Sequence, residues 1–143
     1  MHVAYDDTSA VLVGDYLLSS SLSEIVKTNN LEIIRIFSEQ GKELAVGEID
    51  QHTLAEEAII DEGAYFNMID KKTASLMRTS IAIGAITGGA GEELVAQFQR
   101  LGSILGTCFQ IRDDIFDYYN NDVGKPTGND IKEGKITLPL IYA

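Results

Sequence analysis

The sequence predicts an all-α protein, a bundle of mostly antiparallel helices around a central cavity. Three observations carry that expectation. Apolar residues recur three and four positions apart through most of the chain, the period of a helix with one buried face. The connections between such segments are mostly short, which favours antiparallel neighbours. The stretch Phe98–Tyr119, FQRLGSILGTCFQIRDDIFDYY, holds no proline and only two glycines, over about six helical turns.

The elements follow in order. Ser9 is placed to cap a helix running from Ala10 to about Lys27, with Val11, Leu12, Leu18 and Leu22 on its apolar face. Asp6 and Asp7 before it read as a solvated lead-in. Asn29 or Asn30 can cap a second helix from Leu31 towards Ile49, which carries GEIDQ at its end with Glu48 and Gln51 on one face. Thr53 followed by Glu56 has the form of a capping box, opening a helix from about Leu54 to Asp70. Lys71-Lys72-Thr73-Ala74-Ser75-Leu76 opens another, which stops at Gly88-Gly89. Its small residues Ser80, Gly84, Ala85 and Gly88 allow close packing on the long helix. Lysines in a first turn oppose the helix dipole, and an anion near the helix N-terminus would give them a purpose; two exposed lysines at a junction are the plainer alternative. Glu92 and Glu93 suit the start of the long helix. A polar segment, NNDVGKPTGNDIKEGKI, follows Tyr119, and Thr137 can cap a last helix beginning LPLIYA.

Composition bounds the class. With 143 residues, 45% of them apolar, the chain is globular and long enough for one domain with a real core. Its net charge of −11, from 11 basic and 22 acidic residues, argues against nucleic acid or an anionic membrane as partner. A polyphosphate would bind only where metal ions or placed lysines reverse the local field. The single cysteine, Cys108, excludes an internal disulfide and reads as a buried thiol on the apolar side of the long helix. No signal peptide and no apolar run of about 18 residues is present, so a soluble, cytoplasmic protein is expected.

The long helix also carries the chemistry. Gln110, Asp113, Asp114 and Asp117 are three or four residues apart and share one face. Ser103, Gly106 and Thr107 continue that face as small residues, while Phe98, Leu101, Ile104, Leu105, Phe109, Ile111, Ile115 and Phe116 occupy the opposite arc. Three carboxylates in five residues repel one another, lose hydration when partly buried, and stand at the negative end of the helix dipole. A solvated helix end is one reading. A divalent cation is the other, since hard oxygens one turn apart suit Mg²⁺ with waters and substrate phosphates.

The string FQIRDDIFDY, followed by VGKPTGNDIKEGKITLPL, resembles the second aspartate-rich region of the trans-isoprenyl diphosphate synthases, the polyprenyl synthetase family. KKTASL and GEIDQ resemble the same family's upstream markers in matching order, and so does AVLVGDYLL, where Gly14 would permit close packing. The resemblance covers nearly the whole chain from Ala10. It implies an enzyme that condenses an allylic diphosphate with isopentenyl diphosphate into a longer polyprenyl diphosphate. Mg²⁺ or Mn²⁺ would be held by Asp113, Asp114 and Asp117, and the diphosphate by Lys72, Lys125 and Lys135. Thr73 and Gln110 would lie beside the allylic cation, and an apolar tunnel partly behind Ser103 and Gly106 would take the growing chain. The full-length protein is expected to be a homodimer.

The first aspartate-rich motif of that family lies upstream of the AVLVGDYLL segment, and Tyr5-Asp6-Asp7-Thr8-Ser9 does not match it. Residues 1–143 are therefore expected to form a single partial all-α domain, lacking the N-terminal helices with the first motif and the final C-terminal helices. Two other readings stand beside the synthase: a non-catalytic partner subunit or truncated remnant, and a class I terpene cyclase. KTASL and the two-lysine loop favour chain elongation over cyclisation.

Overall fold

The computed structural model describes residues 6–118 and 127–143, all of whose regular elements are helical. The chain divides into two compact units, Met1–Phe37 and Ser38–Ala143.

In the first unit, α1 spans Asp7–Lys27 and is capped by Asp6, not Ser9. One Asp6 oxygen accepts from the Ser9 amide at 2.7 Å and the other from the Ser9 hydroxyl at 3.1 Å. The carboxylate serves two donors, so it takes the cap from a hydroxyl that could serve one. The Ser9 amide also holds the Asp6 carboxyl below its ordinary range. Gly14 faces open space rather than a close neighbour. Asn30 caps the start of α2, Leu31–Glu56, accepting from the amides of Glu32 and Ile33.

The capping box at Thr53 does not open a helix. α2 runs through Thr53 to Glu56 and ends where Ala58 adopts a left-handed φ of 49° and the Ile59 amide reaches back to the Leu54 carbonyl. The next helix, α3 (Glu62–Ile69), is capped by Asp61, whose side chain accepts from the Ala64 amide at 2.6 Å. The Thr-x-x-Glu pattern is satisfied by ordinary helix interior as well, and only the left-handed exit at Ala58 separates the two cases. Replacing Asp61 by alanine is expected to cost about 1 kcal/mol of stability, read as a lowered urea midpoint at unchanged slope. An unchanged midpoint would show that Asp61 caps nothing of consequence.

Lys71 and Lys72 are not at a helix N-terminus either. α3 continues through a single π-helical turn, Asp70–Ala74, into α4, Ser75–Thr87, with right-handed helical backbone at Ile69 and Ala74. The dipole argument for an anion at that point therefore falls. A π-turn inserts one residue into the helix and re-aims the side chains on it; here it carries Lys72 and Thr73. Gly88 ends α4 and Gly89, at φ 78°, turns the chain into α5, Glu92–Asp117.

α4 and α5 pack antiparallel through the small stripe of α5. A Cβ added at Gly102 would lie 2.6 Å from Cα of Arg78, and one at Gly106 would run into Cα of Ala74. On the α4 side, the buried small residues are Ala74, Ser75, Thr79 and Ala82, whereas Ser80, Gly84 and Gly88 are exposed. The large apolar arc of α5, from Phe98 to Phe116, stays largely at the surface, and Cys108 is exposed with it. The buried core of the second unit lies elsewhere. It consists of Leu54, Tyr65, Met68 and Ile69, with Phe66, Ile111 and Leu138 packed against it. From Ser38 on, α2 runs antiparallel to the π-turn and α4: Asp50 pairs with Lys71, Gly47 abuts Lys72, and Glu43 pairs with Arg78. After α5, α6 (Asn129–Lys132) and α7 (Leu138–Ile141) complete the unit. Thr137 stands at the cap of α7, but its hydroxyl pairs with the Tyr118 hydroxyl at 3.1 Å instead of with the helix.

Candidate active site

The last two turns of α5 meet the π-turn and α3. Thr73 Oγ1 donates to Gln110 Oε1 at 2.6 Å, and Gln110 Nε2 donates to Asp114 Oδ1 at 2.7 Å. The other Asp114 oxygen accepts from the Tyr65 hydroxyl at 2.6 Å. Tyr65 is 0% exposed and Asp114 4%. Burial pushes the Asp114 carboxyl up, against the pull of its Tyr65 and Gln110 hydrogen bonds. Burial and the Asp114 charge also push the Tyr65 hydroxyl far above its ordinary range, so it stays protonated and donates.

Asp117, 5% exposed, accepts from the Asp130 amide through Oδ2 at 2.9 Å, and its carbonyl accepts from the Gly128 amide at 2.8 Å. These bonds fold α6 back onto the end of α5. Lys135 follows, 3.2 Å from Asp130 and 2.7 Å from Glu133. The Glu133 bond above all holds the Lys135 ammonium charged beyond its usual range.

Lys72 points to α2. Its ammonium donates to Gln51 Oε1 at 2.6 Å and to Glu48 Oε2 at 3.0 Å. The approach is close because position 47 is glycine: a Cβ there would lie 2.5 Å from the Lys72 amide nitrogen. GEIDQ and KKTASL are thus one constellation, with the glycine giving room and the two polar residues aiming the lysine. Lys71 pairs separately with Asp50 at 2.7 Å.

Of the residues singled out in the sequence, Thr73, Gln110 and Asp114 are brought into one hydrogen-bonded chain, with Lys72 beside it on the π-turn. Asp117 and Lys135 meet at the C-terminal end of α5 through Asp130. Lys125 lies outside the described residues. Asp113 is half-buried, between the buried Asp114 and the exposed Arg112. Among the described residues no three acidic, histidine or cysteine side chains converge on one metal position. The donor chemistry still fits Mg²⁺, which needs only one or two carboxylates and fills its other positions with waters and phosphate oxygens. Of the three aspartates, Asp113 is half-buried, and Asp114 and Asp117 are buried.

The stripe at Ser103 and Gly106 is a helix contact. Ala74 fills the space at Gly106, and Ser103 accepts from Arg78, which also pairs with Asp70 and Glu43. An open groove of about 420 Å³ lies instead on the apolar arc, lined by Met77, Leu105, Cys108, Phe109 and Arg112. Sequence reasoning missed Tyr65 and Arg78. The signal for Tyr65 was a tyrosine in an apolar stretch, because a buried hydroxyl needs a partner.

Fold and site together define an all-α protein in which an aspartate-rich helix end, a lysine–threonine pair on a π-turn and the short α6 segment with Lys135 gather at one end of antiparallel helices. The model of the polyprenyl synthetase family matches residues 1–143, and the chain belongs to that family. It is 34% identical to heptaprenyl diphosphate synthase component 2 of Bacillus subtilis, over 97% of this chain and 40% of that protein. Among solved structures it is similar to a geranylgeranyl pyrophosphate synthase from Bacteroides thetaiotaomicron, with 46% identity and a TM-score of 0.88 over 98% of this chain and 47% of that one. It is also similar to a polyprenyl synthase from Caulobacter crescentus solved with calcium and isoprenyl diphosphate, with 31% identity and a TM-score of 0.92 over 99% and 44%. The chain spans less than half the length of each of these relatives. No described helix is long and apolar enough to cross a membrane.

Proposed function

We propose that this chain carries the second aspartate-rich half of a prenyl-transferring site, which joins an allylic diphosphate to isopentenyl diphosphate. The hydrogen-bonded run from Thr73 through Gln110 to Asp114, one residue from Lys72 and one from Asp113, is the observation that carries this reading. It puts a cation, neutral oxygens and carboxylates within one small region. The Caulobacter relative, with calcium and isoprenyl diphosphate bound, supports the same chemistry.

In this reading the allylic C–O bond breaks, its electron pair leaves with the diphosphate, and the double bond of isopentenyl diphosphate attacks the resulting cation. Loss of a proton then restores an alkene one five-carbon unit longer. Lys72, Lys125 and Lys135 hold the departing diphosphate; Glu48 and Gln51 keep Lys72 extended and aimed. Thr73 and Gln110 stand beside the cation, where neutral oxygens steady it without capturing it. Mg²⁺ or Mn²⁺, when bound, neutralises charge that grows on the leaving diphosphate. Asp113, Asp114 and Asp117 would hold that metal, with Asp114 and Asp117 also bonded within the helix end. A homodimeric, cytoplasmic protein fits this reading. The relatives bear synthase names, so neither the cyclase nor the non-catalytic reading is favoured. Those names include both geranylgeranyl and heptaprenyl and leave product length open.

The test is to incubate the complete gene product with an allylic diphosphate, labelled isopentenyl diphosphate and Mg²⁺. The expected result is metal-dependent incorporation of label into longer prenyl diphosphates. A lack of incorporation across allylic substrates of several lengths would remove the reading.

A further inference from the structure

Tyr65 belongs to none of the motifs, yet it touches the site. Its ring lies in the apolar core, and its hydroxyl reaches across to Asp114 on α5. From there three hydrogen bonds run in series, Tyr65 to Asp114, Gln110 to Asp114 and Thr73 to Gln110, at 2.6, 2.7 and 2.6 Å. Their directions are determined by what each group can do. An ionised carboxylate only accepts, so Tyr65 and Gln110 must both donate to it. A glutamine amide that gives its Nε2 hydrogen to Asp114 presents Oε1 to Thr73. Thr73 must then spend its one hydroxyl proton on Gln110, which leaves its oxygen lone pairs for whatever else occupies the pocket.

Reversing the chain at any link would turn the positive end of the Thr73 O–H dipole outwards, where an allylic cation would meet it. Gln110 and Thr73 cannot prevent this alone, since an amide can rotate and a hydroxyl can swing. The buried Asp114 carboxylate sets the direction of the chain, and Tyr65 is the donor that holds that carboxylate in place from the core side. Phenylalanine there would leave one oxygen of a buried carboxylate without the tyrosine donor, a costly condition that reorientation of Asp114 and Gln110 relieves.

We propose that Tyr65 is a positioning residue: acting through Asp114, it fixes the Gln110 amide and so holds Thr73 as a donor to Gln110, with its lone pairs left for the reacting cation. The consequence for catalysis rests on the prenyl-transfer reading above; the orientation of Gln110 rests on the hydrogen bonds alone.

The experiment is a double-mutant cycle on the complete gene product, with Tyr65→Phe, Thr73→Ala and the pair, joined to an NMR measurement of the Gln110 side-chain amide. Tyr65→Phe is expected to lower kcat about tenfold, with KM for the allylic diphosphate within about twofold of wild type. In the Thr73→Ala background the same change should lower kcat by less than about twofold, because the group it acts through is gone. The Gln110 amide signals of Tyr65→Phe should shift and lose protection from solvent exchange. An equal loss of kcat in both backgrounds, or unchanged Gln110 signals, overturns the proposal. Should Tyr65→Phe fail to fold, Asp114→Asn cuts the same chain one link further on and is read by the same amide signals. If wild-type protein transfers no prenyl group, the functional reading fails separately, and the amide signals decide alone whether Tyr65 orients Gln110.

Discussion

Replacing Asp113 by alanine is expected to lower prenyl-transfer turnover at least about a hundredfold, roughly 2.7 kcal/mol in the barrier. Asp113 is half-buried on the turn that also carries the buried Asp114. Asp114 and Asp117 are bonded to Tyr65, Gln110 and the Asp130 amide, so removing either one disturbs the helix end as well as any metal. Asp113, the most exposed of the three, is the residue whose replacement tests the metal assignment. The Mg²⁺ concentration for half-maximal rate should rise, and melting is followed alongside to separate metal loss from unfolding. Turnover equal to wild type at all Mg²⁺ concentrations would withdraw Asp113 from the metal site.

Gly106→Val is expected to have the largest effect on the fold, costing about 3 kcal/mol. Even a Cβ at position 106 would collide with the backbone of Ala74, and backbone inside a helix cannot swing aside as a side chain can. α5 would have to move away from the π-turn. That would also break the Thr73–Gln110 bond, which lies one helical turn further along α5. Gly14→Ala is the control: nothing lies within 4 Å of Gly14, so it should gain up to about 0.8 kcal/mol of helix propensity. Chemical denaturation of the two variants decides the matter. If Gly106→Val matched wild type, the close crossing of α5 on the π-turn would be wrong.

Much of the site was legible because helical period and motif order act along the chain. Gln110, Asp113, Asp114 and Asp117 share a face at any helix placement, and KKTASL and FQIRDDIFDY had to meet if the turn at Gly88–Gly91 joined antiparallel helices. What escaped were backbone conformations and coverings that residue pattern does not signal. The capping box at Thr53 looked like a helix start until Ala58 took a left-handed φ. Lys71 and Lys72 looked like a first turn because no local signal announces a π-turn. Cys108 and the apolar arc around it looked buried because hydrophobicity shows what could be covered, not what covers it.

The sequence by itself determined that the chain is helical and where the acidic stripe lies on its long helix, since these depend only on period and residue chemistry. The tertiary structure decided which face of that helix is inside. Glycines at 102 and 106 let α5 approach α4 and the π-turn more closely than its large side chains could, and Gly102, Gly106, Asp114 and Asp117 are buried. That same approach brings Asp114 within reach of Tyr65 on α3, across 49 residues of sequence, a contact that no local pattern encodes because it exists only where two helix surfaces meet.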